Sequence, residues 1–292
     1  MKVKLDCIPC IIDVRRRELR MMGLSEERAV EVMAELVKLM GSLAKPDVNV
    51  TRLASTVYRR LKSLTVEDPY AHIRAKSLSE YGAVEEACRG VLRGLEGYEK
   101  FKKALRLALI GNSFDYGVSG FQPPESLSLS TSLSTMDVGL DDSHELYERV
   151  KGSRVLYLLD NVEELPFDAA LMRVMKELGC QLVAVAKSGC FQNDTTIRDA
   201  LAAGLDKLID KVVESGTDGS SIFLDEVSED LLREVEKAEV IVAKGMAHFE
   251  YLSETSLRSK CFFLLRAKCH VVAEELKVRL GSYVVLNGSK RT

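Results

Sequence analysis

Apolar residues recur at helical spacing through the first hundred residues of the chain. In residues 25–41, Ser25 and the two glutamates after it form a helix start, apolar residues follow every three or four positions, and Gly41 is a stop signal. Similar amphipathic runs occupy residues 50–64, 71–81, 83–95 and 98–106. Because none of these segments alternates with period two for long, the pattern predicts a helical N-terminal domain over residues 1–104.

From residue 105 onward, short apolar runs alternate with helical patterns. The apolar runs cover residues 105–110, 154–159, 181–186, 211–213, 239–243 and 261–265. The helical patterns cover residues 167–178, 195–203, 228–238 and 271–276. Strands that alternate with helices of about ten residues are typical of a mostly parallel sheet with right-handed crossovers. The chain is therefore predicted to be α/β, with a three-layer α/β/α domain and a Rossmann-like sheet over residues 105–292.

A segment rich in proline, serine and leucine interrupts this rhythm at residues 118–145. Loops of such length are uncommon inside compact domains unless they have a function or local structure of their own. The sequence leaves open whether this segment is a lid over a site or a surface insertion that contains a short helix.

The balance of charge argues against a nucleic-acid partner. The 292 residues carry a formal net charge of −3, divided between about +6 in residues 1–106 and about −9 in the remainder. Neither part has the strong basic field of a nucleic-acid-binding protein. The run Arg15, Arg16 and Arg17 is interpreted as a solvated helix face.

Cysteine usage and hydropathy bear on the cellular compartment. The seven cysteines are an odd count, and their spacing does not repeat as in a disulfide framework. No apolar signal-peptide core is seen, and no run approaches the roughly 18 apolar residues of a membrane span. We therefore expect a cytoplasmic protein with reduced thiols and no membrane contact, and leave open whether it forms a homo-oligomer.

Polar residues follow the predicted strands at the points where each strand ends. They form five successive groups: Asn112 with Asp115, Asp160 with Asn161, Asn193 with Asp194, Ser215 with Gly216, and Lys244 with Gly245. In open α/β sheets, ligands bind beyond the carboxyl ends of the strands, where loop amides and helix N-termini converge. Five groups in series point to one shared pocket.

The group at Asp160 and Asn161 is the sharpest candidate for a metal site. Carboxylate and amide oxygens suit a hard divalent cation, and Asp194 supplies a third oxygen ligand across one βα unit. Taken singly, Asp160 and Asp194 are more typical of helix N-caps, and their combination with Lys244 favours a site. Glu163 and Glu164 are interpreted as acids of a helix first turn, which the helix dipole favours.

Lys244 and Gly245 combine a cation with a small residue at a strand end. A phosphate is their natural partner, because lysine supplies a point charge and glycine lets backbone amides approach. His248 and Glu250 follow closely and are expected to line the pocket, as is Ser188. The alternative is a lysine that simply leaves the sheet edge for solvent.

The pair Cys7 and Cys10 forms a CxxC motif with three interpretations. A thioredoxin-type redox pair is disfavoured because it would follow a strand in a βαβ unit, whereas this pair opens a helical domain. A structural metal site needs four ligands, and Cys88, Cys261 or Cys269 could complete it only through the fold. Packing of small buried thiols is the third interpretation.

Several enzyme classes lack their motifs in this chain. There is no GxxxxGK[ST] loop, no GxGxxG sequence and no GxSxG nucleophile elbow. Cys190 has no identifiable histidine to activate it as a nucleophile.

Taken together, the motifs resemble those of the metal-dependent damage-control phosphatases. This family, long catalogued as a domain of unknown function, shares the acidic-residue-methyltransferase-like fold, and the CxxC pair resembles that of its prokaryotic branch. The resemblance spans nearly the whole chain and rests on motifs at residues 7–10, 111–117, 159–164, 193–196, 244–247 and 265–269. The chain departs from the family pattern at Glu163, where glycine is usual, and at His248, where asparagine is frequent.

The resemblance implies an activity and a role for each matching residue. Asp160, Asn161 and Asp194 would bind a divalent metal, Mg, Mn, Co or Ni, with Asp160, Asp194 and Lys244 as catalytic residues. Asn112, Asp115 and Lys244 would contact the phosphate or its leaving group. The expected reaction is metal-dependent hydrolysis of a small phosphomonoester such as a sugar phosphate, so the partner is a small phosphorylated metabolite.

Two other functions remain open from the sequence. An S-adenosylmethionine-dependent carboxyl methyltransferase is suggested by fold analogy, although Gly111-Asn112 offers only one glycine for the expected loop. A non-catalytic protein that binds a phosphorylated metabolite would present the same polar pocket.

Overall fold

A computed structural model describes residues 1–66, 68–114, 117–120 and 128–290 of the chain. Its α-helices run in this order: α1 (Cys7–Met21), α2 (Glu26–Leu43), α3 (Val50–Leu64), α4 (Ala71–Leu92), α5 (Gly97–Gly111), α6 (Leu129–Ser134), α7 (Ser143–Val150), α8 (Leu165–Glu177), α9 (Ile197–Ala202), α10 (Glu229–Lys237), α11 (Gly245–Leu252) and α12 (His270–Leu276). Its strands are β1 (Val138–Asp141), β2 (Arg154–Leu158), β3 (Gln181–Ala186), β4 (Lys211–Glu214), β5 (Val240–Lys244), β6 (Cys261–Arg266) and β7 (Tyr283–Asn287).

The strands form one seven-stranded sheet in the order β1-β7-β6-β5-β2-β3-β4. All neighbouring strands are parallel except β6 and β7, which are antiparallel. The order reverses at β2, which lies between β3 and β5, and loops beyond a parallel sheet converge at such a switch point. The predicted α/β class with a mostly parallel sheet is confirmed.

Helices cover both faces of this sheet. Alternate residues of β2 point to opposite cores, with Leu156 and Leu158 in one and Val155 and Tyr157 in the other. Residues of α1, α2 and α3 belong to the first core, whereas residues of α4 and α5 belong to the second. The helices that precede the sheet in the chain therefore contribute to both outer layers of an α/β/α sandwich.

The prediction of a strand at residues 105–110 is wrong, because these residues form the C-terminal half of α5. Leu105, Leu107, Ala108, Leu109 and Ile110 are all at most 1% exposed, since α5 packs against α4, α7 and α8 together. A helix buried on all sides carries the same continuous apolar run as a buried parallel strand. Length and context, rather than periodicity, separate the two.

Strands β1 and β7 and helices α7 and α11 lie outside the predicted apolar runs and helical patterns, whereas α6 is a short helix of the kind left open for residues 118–145. The segment 118–145 contains α6 and β1 in its described part, while residues 121–127 lie outside the described residues. The amphipathic runs at 71–81 and 83–95 merge into the single helix α4. No helix in the described ranges combines the length and apolar character needed to cross a bilayer.

Candidate functional site

The loops after β2 and β3 are joined by backbone hydrogen bonds. Asn161 and Asp194 form an isolated antiparallel bridge, and Thr195 N donates to Asp160 O at 2.7 Å. Val162 N donates to Asn193 O at 2.9 Å. These bonds fix Asp194 against Asp160 and Asn161, although it lies more than thirty positions further along the chain. The structure thus brings together the predicted metal ligands Asp160, Asn161 and Asp194.

All three residues line one cavity of about 610 Å³, referred to below as the main cavity. They are only 8%, 4% and 5% exposed, respectively. The N-terminal end of α1, residues of α3, and the loop after β6 complete its wall. Helices that precede the sheet therefore build the site together with the strand ends.

Gly245 lies directly against the Asp160 carboxylate. Its backbone φ is +80°, a conformation that glycine adopts easily and other residues rarely do. A Cβ placed on Gly245 would overlap Asp160 Oδ2 and would lie 2.5 Å from Asp160 Cγ. The glycine is required here because the carboxylate occupies the space of a side chain.

Asn112, at the C-terminal end of α5, holds this carboxylate from the other side. Its Nδ2 donates to Asp160 Oδ2 at 3.0 Å and to Glu164 Oε1 at 2.8 Å, and its Oδ1 accepts from Arg266 N at 3.0 Å. Asn112 is fully buried and is not part of the main cavity wall. In this structure the protein itself uses both polar ends of the amide, and the contact of Asn112 with a substrate stays a prediction.

Glu164 lies in the first turn of the short 3-10 helix Val162–Glu164, as interpreted from the sequence, and it is also the centre of a buried hydrogen-bond network. It is 0% exposed and accepts from Asn112, Asn161 and Lys244. Glu163, by contrast, accepts from Asn193 Nδ2 at 2.9 Å and so ties the two loops together. A first-turn position alone does not indicate that Glu164 is buried.

Lys244 is placed differently from its predicted position at the phosphate. Its ammonium is 0% exposed and donates to Glu164 Oε2 at 2.6 Å and to Asp168 Oδ1 at 2.5 Å. Burial disfavours the charged form, but the two carboxylates outweigh it and raise the pKa of Lys244. Burial raises the pKa of Asp168 to about 6, with Lys244 opposing the shift. Lys244 is therefore positioned behind the site, outside the main cavity wall.

Lys187, directly after β3, lies beside the carboxylate of Asp194. Its Nζ lies 3.5 Å from Asp194 Oδ2 and donates to Gly219 O at 2.8 Å. Burial lowers the pKa of Lys187, and the charges of Asp194 and Asp160 oppose that shift. Sequence reasoning singled out the neighbouring Ser188 and missed Lys187, although the lysine stood at the predicted strand end.

Ser188 and His248 do not line the main cavity. Ser188 is exposed at the rim of a separate, smaller cleft, where Gly216 N donates to its Oγ at 2.7 Å. His248 is 1% exposed, with Nδ1 3.0 Å from Ser221 Oγ and Nε2 3.3 Å from Leu159 O. Burial holds the pKa of His248 well below its usual range, so the ring is neutral, with Nε2 donating to the carbonyl.

Glu250 lines the main cavity as predicted from its place after Lys244. Asp115, the other predicted substrate contact, lies outside the described residues. Two basic residues that sequence reasoning assigned no role also line the cavity: Arg15 of α1 and Lys268 of the loop after β6. Arg15 is only 2% exposed, so its assignment to a solvated helix face is wrong.

The CxxC pair also belongs to the cavity wall. Cys7 and Cys10 at the start of α1 lie on the same wall as Cys269. Burial is the main cause that raises the pKa of each of the three thiols. All seven cysteines are free. Cys269 is the one of the three proposed additional cysteines that lies on this wall, whereas Cys88 and Cys261 are buried elsewhere.

The donor set at the cavity fits a hard divalent cation. Two carboxylates and one amide, all from adjacent strand ends, offer oxygen atoms of the kind that magnesium and manganese prefer. Within the described residues, no group of three histidine, cysteine, aspartate or glutamate side chains is arranged to hold a metal. A metal here would therefore depend on the Asn161 amide as well as on Asp160 and Asp194.

Comparisons with known proteins agree with this architecture. The model of the damage-control phosphatase ARMT1-like domain matches residues 3–284. A damage-control phosphatase of Archaeoglobus fulgidus is 32% identical, over 97% of this chain and 98% of that protein. A damage-control phosphatase of Pyrococcus horikoshii is 35% identical, over 98% of each chain.

A solved structure extends the likeness to three dimensions. The crystal structure of a DUF89 family protein from Pyrococcus horikoshii has a TM-score of 0.86 and 33% identity, covering 99% of both chains. The resemblance noted from the sequence motifs is confirmed. This chain belongs to the ARMT1-like damage-control phosphatase family, and its activity is that of a phosphatase of metabolite damage control.

Proposed function

We propose that this phosphatase hydrolyses small phosphomonoesters, sugar phosphates in particular, with a divalent metal held by Asp160, Asn161 and Asp194. The observation that carries the proposal is the junction of the loops after β2 and β3, which places two carboxylates and an amide on one cavity. Cationic side chains on the same cavity supply the complementary charge for a phosphate. The partner is thus a small phosphorylated metabolite, and seven free thiols suit a cytoplasmic setting.

A bound divalent metal would neutralise phosphoryl oxygens and help orient the attacking group. The protein's own contribution is to hold its ligands in place before the substrate arrives. Asp160 is fixed between Gly245 and Asn112, and Asp194 is fixed by the backbone bridge to Asn161. Rigid ligands need no reorganisation during reaction, which is the main source of electrostatic catalysis.

Lys187 and Lys244 contribute to the electrostatics of the site in different ways. Lys187 lies beside Asp194, so it limits repulsion between the two carboxylates and provides positive charge where phosphoryl charge develops. Lys244 acts from behind as a positioning residue, because it pins Glu164, and Glu164 in turn receives hydrogen bonds from Asn112 and Asn161. The lysine fixes the amides that flank the metal ligands.

The size and polarity of the cavity favour a sugar phosphate. A volume of about 610 Å³ lies within the range of small-molecule sites and can hold a phosphorylated hexose. Asp13 and Glu250 lie on the wall, where their carboxylates can accept hydrogen bonds from sugar hydroxyls. The mixture of acids and bases suits a ligand with an anionic end and a neutral polyhydroxyl end.

The test is phosphate release from a panel of sugar phosphates and nucleotides with Mg, Mn, Co or Ni, compared with a chelated sample. Asp160→Asn and Asp194→Asn keep the side-chain shape and should lower turnover at least about a hundredfold, since each removes a charged ligand. Asp206→Asn, on an exposed turn, is the matched control and should leave turnover unchanged. Full activity in the chelated sample, or in both site variants, refutes the proposal.

A further inference from the structure

Arg15 stands apart from the other arginines of its run. Arg16 is 47% exposed at its side chain and pairs with Asp13, as expected of a helix surface. Arg15 is 2% exposed and lies on the wall of the main cavity, which also contains Asp160 and Asp194. A guanidinium is costly to bury and is retained in such a position only where it is paired.

The protein satisfies Arg15 on one side only. Nη2 donates to Glu18 Oε1 at 2.9 Å, and Nε lies 2.7 Å from Glu18 Oε2. The guanidinium carbon lies 4.8 Å from the centre of the Tyr58 ring, which supports its flat face. Nη1 is buried and has no hydrogen-bond partner in the part of the chain that the structure describes.

Glu18 is itself held firmly, so the arginine is fixed in direction. Tyr70 Oη donates to Glu18 Oε1 at 2.8 Å, and Gln192 Nε2 donates to the same oxygen at 2.9 Å. Gln192 adopts a left-handed conformation with φ 47° two residues before Asp194. The strained loop that carries a metal ligand is therefore linked, through Glu18, to Arg15.

We propose that Arg15 is a substrate-binding residue whose Nη1 donates to an anionic oxygen of the bound metabolite. This proposal rests on the proposed function, because it takes the main cavity as the substrate site. A buried donor with no partner is costly, and an anionic ligand in the cavity would supply the missing acceptor. Arginine suits this task better than lysine, since its planar group can serve Glu18 and a ligand at once.

The anionic oxygen has two sources, which a pair of substrates separates. Glycerol 3-phosphate carries one phosphoryl group, whereas 3-phosphoglycerate carries a phosphoryl group and a carboxylate on the same three-carbon skeleton. If Arg15 binds the phosphoryl group, its loss raises KM for both compounds. If Arg15 binds the second anionic group, its loss raises KM for 3-phosphoglycerate alone. Either outcome supports an anion-binding role.

The variants are chosen so that the buried carboxylate of Glu18 is never left without its cation. Arg15→Gln alone would leave Glu18 unpaired, so the comparison is between Glu18→Gln and the double variant Arg15→Gln/Glu18→Gln. These two proteins differ only in the arginine. We expect KM to be at least tenfold higher in the double variant than in Glu18→Gln, with a smaller change in kcat. Arg20→Gln, at an exposed position of the same helix, is the control and should match wild type, and melting temperatures check that every variant folds.

Direct binding separates failure of this proposal from failure of the proposed function. Binding of inorganic phosphate and of 3-phosphoglycerate is measured by calorimetry on the same proteins, with and without metal. Binding of either anion that is present in Glu18→Gln and lost in the double variant supports Arg15 even if no phosphatase turnover is found. Equal affinity for both anions and equal KM in the two variants overturn the role of Arg15 while leaving the phosphatase proposal intact. Absence of anion binding in wild type overturns it as well.

Discussion

The substitution Gly245→Ala tests whether activity depends on the position of the Asp160 carboxylate against Gly245. Gly245 has φ +80°, and a Cβ there would overlap Asp160 Oδ2 and lie 3.0 Å from Oδ1. The Asp160 side chain cannot keep its place, because the clash is with the carboxylate itself. It must rotate away and lose the hydrogen bond from Asn112 at 3.0 Å.

The size of the effect follows from two separate costs. Placing a side chain in the left-handed region costs about 1–2 kcal/mol of stability. Displacing a catalytic group by about 1 Å costs on the order of a hundredfold in rate. We therefore expect Gly245→Ala to lower kcat/KM about a hundredfold and to raise the half-saturating metal concentration at least about tenfold, values typical of a disturbed metal ligand.

Gly204→Ala is the matched control. Gly204 also has a positive φ, of +73°, but no atom lies within 4 Å of a Cβ placed there. This variant should show the same loss of about 1–2 kcal/mol in unfolding free energy and keep wild-type kcat/KM. Steady-state phosphate release across a metal titration, together with urea denaturation, measures both quantities. If Gly245→Ala keeps the wild-type kcat/KM and metal dependence, Asp160 is not a metal ligand that depends on its contact with Gly245.

Three further predictions concern buried titratable groups. Lys244→Met should lower the free energy of unfolding by about 3–5 kcal/mol, because two buried carboxylates lose their cation; a loss below about 1 kcal/mol in urea denaturation contradicts the network. The low pKa of His248 means that the folded state resists protonation, so its stability is complete above about pH 6.5 and falls by about 1.4 kcal/mol per pH unit below it. His248→Gln should remove that part of the slope in denaturation curves between pH 7.5 and 5. Burial raises the pKa of the Cys10 thiol and raises that of Cys269 to about 12, so iodoacetamide at pH 7 should label both far more slowly in native than in unfolded protein, as followed by mass spectrometry.

The fold could be predicted where strands and helices differ in the length of their apolar runs and in the residues that flank them. Strands β2 to β6 each carry a short apolar run that ends in polar residues, and the model places all of them within a residue or so of the predicted bounds. Strand β7 carries the same kind of run at Tyr283–Asn287 and was overlooked, although the signal was present. Strand β1 alternates half-buried and exposed residues, so its sequence contains no apolar run from which it could be predicted.

The positions of the candidate metal ligands followed from topology. Asp160 and Asp194 come after neighbouring parallel strands, β2 and β3, and parallel strands place their carboxyl ends at one edge of the sheet. The order of these residues in the chain is enough to predict that they lie close together. Arg15 could not be found in this way, since its place depends on how α1 packs over the strand ends.

Burial explains why the sequence patterns point to Lys244, and not to Lys187, as the lysine at the phosphate. Both Lys187 and Lys244 end a strand and are followed by a small residue or by a serine, so their sequence contexts are nearly alike. Only the fold distinguishes them, because Lys244 contacts Glu164 and Asp168, while Lys187 lies beside Asp194, which lines the main cavity. Loss of activity in a Lys244 variant therefore does not by itself indicate phosphate contact. If the variant loses unfolding free energy together with activity, Lys244 acts by holding Glu164 in place. If it loses activity at unchanged stability, Lys244 contacts the phosphate.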